Sequence, residues 1–394
     1  MRIGIFTDAY KPLISGVVTS IDMLATGLKE MGHEVYIITT GYKGCPKSEL
    51  TSDPYVIRFK GMDVPFMESF KGYQLIRTGR KKYFNKIKEL NLDVIHAHTE
   101  FSIGRLALKV SKKLNIPMTY TMHTMYEDYM HHVIHHGTKV LKKPFMNYVI
   151  KWTSKFANAS KEAIIPNKKV VDVFNRYGIK VPYSLIPTGI ELNRFYNSNF
   201  KDEEIRELRH SYGIEDDDFV LINIGRVAPE KSLDMIINEF ANDLRDYKAK
   251  LVIVGDGPAM KDIKPLVQSL NLEDKIILTG AQPWEMVPKF YQMGNLFVNA
   301  SITETQGLTY IEALASGLPL LARYDKNLEE IIVDGENGLY FNNFEEFSNQ
   351  TKKLLSDKEL LEKLTNNAST SVKQFSKEEY ARRVSELYER ITTK

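Results

Sequence analysis

A single cysteine, Cys45, in 394 residues excludes an intrachain disulfide and any multi-cysteine metal site, a scarcity that fits a reducing compartment. No apolar run approaches the ~20 residues a helix needs to cross a bilayer. The chain opens directly on a strand-like run, Arg2 to Phe6, so no secretory signal peptide is expected. Low-complexity segments are absent, as are zinc-finger, RNP and helix-turn-helix signatures, so nucleic acid is not an expected partner. What remains is a chain of ordinary globular composition, 43% hydrophobic and 26% charged, and long enough for two separate cores.

The net charge of +3 conceals a polarity between halves. Residues 1–190 carry 28 Lys and Arg against 15 Asp and Glu, whereas 191–394 carry 25 against 35. Such asymmetry points to an anionic surface facing the first half, and a membrane fits better than nucleic acid.

Both halves alternate short β-branched runs with amphipathic segments, the pattern of parallel α/β units. Strands are expected at Arg2–Phe6, Val35–Thr39, Val94–His98 and Met118–Met122, then at Phe219–Ile224, Lys250–Val254, Lys275–Leu278 and Leu296–Asn299. Residues 1–192 and 200–375 read as two Rossmann-like domains, with a linker from Ile186 to about Asn199. A charged helical tail, 376–394, either stays with the second domain or crosses back to the first. In such sheets ligands bind outside the carboxyl ends of the strands, so informative residues should follow strands.

They do. After Leu296–Asn299 comes Glu304-Thr305-Gln306-Gly307-Leu308-Thr309, then Glu312 inside a helix closed by Gly317 and Pro319. The turn presents backbone N–H groups at a helix N-terminus, an anion site. Two carboxylates flanking it make sense where hydroxyl-bearing groups lie on both sides of a phosphate. An ordinary surface helix with an acid near its start is the competing reading. Gly225-Arg226 follows Phe219–Ile224, and Lys231 lies five residues on, two cations suited to clamping a diphosphate, or simply a pair of surface cations. Gly255-Asp256-Gly257-Pro258 follows another strand and also reads as a plain turn. His123 follows Met118–Met122, while His98 ends the strand Val94–His98 and Glu100 lies two residues beyond; each also suits a buried hydrogen-bonding role. His131, His132, His135 and His136 lack the carboxylate of a zincin-type motif, so no metal site is expected.

Together Gly225-Arg226…Lys231, Gly255-x-Gly257-Pro258, Glu304-x7-Glu312, the Ile186-Pro187-Thr188-Gly189 stretch and the Tyr10-Lys11-Pro12…Gly16 loop resemble the GT4 family of retaining GT-B glycosyltransferases across essentially the whole chain. The resemblance implies a GT-B architecture, two facing Rossmann-like domains with a deep cleft between them. It implies that Arg226 and Lys231 hold the donor pyrophosphate, helped by the N–H groups from Gln306 to Thr309. By the same likeness Glu312 binds ribose hydroxyls, Glu304 binds the transferred hexose, His123 contacts the sugar, and Gly16 lets the first-domain loop approach the donor phosphate. It implies front-face attack without a covalent nucleophile and no required cofactor, with room for stimulation by Mg2+.

The first-half wording, with His123-Thr124-Met125-Tyr126, is similar to bacterial 1,2-diacylglycerol 3-alpha-glucosyltransferases within that family. That likeness implies UDP-glucose as donor, diacylglycerol as acceptor, and peripheral attachment to anionic phospholipid on the cytoplasmic face of the membrane. His98, Glu100 and Tyr126 are then acceptor-side candidates. Two Lys- and aromatic-rich stretches, Arg77–Leu90 and Lys139–Phe156, suit a bilayer interface, or pack an apolar stripe inward with solvated lysines. A soluble sugar, phosphatidylinositol or a glycosylated lipid as acceptor, and an epimerase or a binding module on the same fold, are the alternatives.

Overall fold

The computed structural model describes residues 1–13, 15–50, 52–63, 74–123, 139–301 and 306–393, and the side chains of 47, 49 and 139–145 are not described. Glu304, Thr305, Tyr126 and the histidines at 131, 132, 135 and 136 therefore lie outside the described residues.

The chain divides into two compact units, Met1–Ile190 with Lys377–Lys394, and Glu191–Ser376. In the first, the strands of the main sheet are β1 (Arg2–Phe6), β2 (Glu34–Thr40), β3 (Val56–Phe59), β4 (Val94–Ala97), β5 (Met118–Thr121), β6 (Glu162–Ile165) and β7 (Tyr183–Leu185), beside a short antiparallel pair at Met62–Asp63 and Gln74–Leu75. The main sheet is parallel, in the order β3-β2-β1-β4-β5-β6-β7. Alternation along β1 sends Ile3 and Ile5 to one face and Phe6 to the other, and both faces are covered. The Phe6 face packs with Ile103 and Leu106 of the helix Ser102–Leu114. The opposite face packs with Ile21, Leu24 and Leu28 of the helix Gly16–Glu30 and with Tyr380, Val384 and Leu387 of the final helix, Lys377–Thr392.

That final helix is tightly docked. A Cβ on Gly27 would lie 2.6 Å from the Ala381 Cβ, so the two helices approach where only glycine fits. Lys377, itself buried, meets Glu30 at 2.7 Å, and Arg390 meets Glu162 at 2.6 Å.

The second unit holds β8 (Phe219–Ile224), β9 (Ala249–Val254), β10 (Ile276–Gly280), β11 (Leu296–Asn299), β12 (Leu320–Arg323) and β13 (Gly338–Phe341), parallel in the order β10-β9-β8-β11-β12-β13. Strand order therefore reverses between β1 and β4 in one sheet and between β8 and β11 in the other. These are the crevices where open α/β sheets bind ligands.

The stretch from Ile186 to Asn199, expected to link the domains, does hold the boundary between the units, and it is packed rather than free: the Ile186 N–H donates to the Ile165 carbonyl at 2.9 Å, and Ile186, Ile190, Leu192 and Phe195 are buried. Its apolar residues each find a core, and the units meet in sequence at Ile190–Glu191. Among the described aromatic residues of the basic stretches, Tyr83 and Phe156 are buried, Phe84 and Trp152 pack partly against the same core, and Tyr148 is 58% exposed. Tyr83 and Ile87 of the helix Lys81–Lys88, and Phe156 of the helix Lys139–Ala157, are buried, with Lys81, Lys82, Lys86, Lys151 and Lys155 left in solvent. Lysines and Tyr148 are exposed along the described parts of these helices, and a groove of about 980 Å³ beside the helix Lys81–Lys88 is lined by Lys60, Arg77, Arg80 and Lys86.

Candidate active-site residues

Beyond β8 the chain turns at Gly225, whose φ of +147° favours glycine, and its N–H donates to the Val254 carbonyl at 2.9 Å. A Cβ on Gly255 would stand 1.9 Å from the Gly225 carbonyl oxygen, and one on Gly257 2.3 Å from that of Val227. The Gly255-x-Gly257 pattern thus exists so that two loops can lie backbone against backbone, which fixes where Arg226 starts. Toward β11 the space is open: a Cβ on Gly225 would meet only the Thr309 methyl, at 4.0 Å.

Thr309 is in the first turn of the helix Leu308–Ala315, capped by Gly307 in the left-handed region at φ +67°. The first N–H groups of a helix have no intrahelical acceptor, so Leu308 and Thr309 present donors at this crevice. Arg226 is exposed and pairs with Glu230; Lys231 ends a 3-10 turn that begins at Pro229. At the end of β11 the buried Ser301 hydroxyl has no hydrogen-bond partner among the described residues.

Glu312 is buried. Tyr291 donates its hydroxyl to the carboxylate at 2.8 Å and also lies 3.2 Å from the Thr309 carbonyl. Burial raises the Glu312 carboxyl to about 7, against the opposing pull of the Tyr291 hydrogen bond and the Arg194 charge. Arg194 lies over the Trp284 ring at 5.0 Å, and Phe195 and Tyr291 pack edge to face. Neither Tyr291 nor Arg194 was visible in sequence, where nothing links positions 194 and 291 to 312.

In the first unit the strand ends are occupied by side chains. Asp8, after β1, is buried and accepts from Ser102 Oγ at 2.6 Å, Thr99 Oγ1 at 2.6 Å and the Ile103 N–H at 3.0 Å. It caps the helix Ser102–Leu114 from 94 residues away, and burial raises its carboxyl while those bonds oppose the rise. Glu100 is buried too, its Oε1 accepting from Tyr120 and Thr153, each at 3.3 Å.

His96 bonds on both ring nitrogens, Nδ1 with Tyr388 at 2.6 Å and Nε2 with Thr121 at 2.7 Å. His98 lies against it with ring centroids 4.1 Å apart, and its Nδ1 is 2.8 Å from His123 Nε2. Burial lowers His123 to about 4 and His96 to about 3, and holds His98 well below the usual imidazole range, so all three are neutral near pH 7. Gly16 opens the helix Gly16–Glu30, with Ser15 Oγ accepting from the Val18 N–H, and nothing lies within 4 Å of where its Cβ would be.

Residues 14–194 match the model of Glycosyltransferase Family 4, and residues 204–371 that of glycosyl transferases group 1. The chain is 40% identical over 389 residues, 98% of its length and 96% of the relative's, to the alpha-monoglucosyldiacylglycerol synthase of Acholeplasma laidlawii. It is 36% identical to the Streptococcus pneumoniae protein of the same name, over 98% of this chain and 85% of that one. Among solved structures it is similar to Anabaena HepE in complex with UDP-glucose, with TM-score 0.71 and 17% identity over 99% of this chain and 100% of that one.

Proposed function

This chain belongs to the GT4 family of GT-B glycosyltransferases, and from that premise we propose that it transfers glucose from UDP-glucose to 1,2-diacylglycerol at a membrane surface, with retention, giving alpha-monoglucosyldiacylglycerol. The observation that carries the reading is the full-length similarity to two synthases of that name. The basic first half supports a lipid acceptor on an anionic, cytoplasmic membrane face, and among the described residues no helix is long and apolar enough to cross a membrane.

On this reading the diphosphate sits at the N-terminus of the helix Leu308–Ala315, between Arg226 and Lys231 and over the open floor at Gly225. Glu312 accepts ribose hydroxyls and Glu304 hexose hydroxyls, and Gly16 leaves room for the donor phosphate. The acceptor oxygen attacks C1 on the face the diphosphate leaves. The C1–O bond to phosphate breaks, the new C1–O bond forms, and the acceptor's proton passes to the departing phosphate oxygen. Stabilising that leaving group lowers the barrier more than any other contact, by on the order of 3 kcal/mol for each hydrogen-bond donor. Because Arg226 and Lys231 supply this positive charge, the reaction does not require Mg2+, and activity should persist in EDTA.

Incubation with labelled UDP-glucose and liposomes containing diacylglycerol and anionic lipid should give a lipid-linked product cleaved by α-glucosidase. A β-linked product would refute retention, and label only in a soluble product would refute the lipid acceptor. UDP release with the label recovered only as free glucose would favour hydrolysis, and conversion of the label to another UDP-hexose without UDP release would favour epimerisation. Glu304→Ala should abolish transfer while flotation with anionic vesicles survives.

A further inference from the structure

We infer that His98 is a positioning residue that locks His123 in the Nδ1–H tautomer, so that His123 faces its substrate as a fixed hydrogen-bond donor and never as a base. One orphan atom sets the direction of the bond. His98 is 2% exposed, and its Nε2 has no hydrogen-bond partner among the described residues. A buried N–H without an acceptor is rare and costly, whereas an unfilled lone pair is tolerated better. The Nε2 of a neutral His98 is therefore the bare nitrogen, and the ring's single proton is on Nδ1.

That proton has one place to go. His98 Nδ1 lies 2.8 Å from His123 Nε2, with the two ring planes 21° apart. His98 donates, His123 Nε2 accepts, and the His123 proton is left on Nδ1. A ring already protonated at Nδ1, with its Nε2 lone pair engaged, has no free nitrogen with which to take a proton from an acceptor hydroxyl.

The backing is rigid. His96, held at both nitrogens by Tyr388 and Thr121, packs its ring against His98 and keeps that ring from turning. Tyr388 lies in the final helix, so the last residues of the chain support the ring that sets the tautomer of His123.

The tautomer itself is independent of function; only its consequence for catalysis rests on the proposed glycosyl transfer, with His123 contacting the sugar as the family resemblance implies. The test keeps the two apart. In long-range 1H–15N spectra of histidine-labelled, unliganded protein, the signals lost in His123→Asn should show the Nδ1–H pattern. An Nε2–H pattern would overturn the inference whatever the kinetics. His98→Leu should convert those signals to a tautomer mixture and lower kcat on the order of tenfold or more, with KM for UDP-glucose within about threefold. His98→Asn, whose amide nitrogen can stand where Nδ1 stood, should restore the single tautomer and most of the lost turnover. An unchanged tautomer in His98→Leu would remove His98 from the role. If the tautomers behave as expected but kcat does not follow them, the lock stands and the assignment of His123 to the substrate falls.

Discussion

In the first unit the groups beyond the strand ends are side chains that hold one another: Asp8 by three donors, Glu100 by two, His96 by two, and His98 by His123. In the second unit they are mostly backbone, an open glycine turn facing a helix N-terminus, with one buried acid and two cations alongside. On the proposed function, the difference follows from the ligand each must meet. A diphosphate is bound well by N–H groups whose positions are set when the fold forms. A neutral hydrogen-bonding surface has to be built from side chains, each needing a partner to stay in one tautomer and one rotamer.

The contrast is broken most severely on its backbone side. Gly255→Ala places a methyl group 1.9 Å from the Gly225 carbonyl oxygen at a φ of +139°. It should cost about 3 kcal/mol or more and abolish UDP binding in calorimetry. A substitution of Gly16, where nothing lies within 4 Å, should leave the melting temperature nearly unchanged.

A pH titration sharpens the contrast between the buried acid and the buried histidines. Glu312 is raised from 4.5 to about 7, so in the free protein it is largely protonated below 7. Receiving ribose hydroxyls favours the anion, so UDP binding should release a proton and weaken by up to about tenfold per pH unit below 7. Glu312→Gln should flatten that slope. The sign for stability is opposite: a carboxyl raised in the folded state costs stability as pH rises from 4.5 to about 7, and by a constant amount above that. His123, lowered to about 4, should add no slope at neutral pH.

The smallest effect falls on the side-chain network. Tyr388→Phe removes one partner of His96 and should cost about 1–2 kcal/mol in the first unit. UDP affinity, which the proposed function assigns to the second unit, should not move, and a shift there would undo the division of labour between the two.

Sequence showed the strands well, because parallel strands covered on both faces read as continuous apolar runs, and it showed the site motifs because they follow those strands. It placed Gly255 at the right loop but left its reason hidden, since a backbone contact between positions 225 and 255 leaves no trace in local pattern. The partners of Glu312 and His96 were hidden for the same reason: Tyr291 and Tyr388 lie 21 and 292 residues away in the chain. The two basic helices left two readings open in sequence, an apolar stripe packed inward or one laid on a bilayer, and the buried Tyr83, Ile87 and Phe156 answer for those positions. Period alone does not say whether an apolar stripe meets a sheet or a bilayer.

The docking of Lys377–Thr392 onto the first unit has a consequence for how the protein is made. The second unit is, in chain order, an insertion between the body of the first unit and the helix that finishes it. During synthesis the first sheet emerges early with the Ile21, Leu24 and Leu28 side of its cover incomplete. All of Glu191–Ser376 must follow before Tyr380, Val384 and Leu387 arrive to close it. The inserted unit, whose residues are continuous, can finish folding while the first is still open. A nascent chain arrested before residue 377 should hold a folded second unit and a first unit with an exposed apolar face.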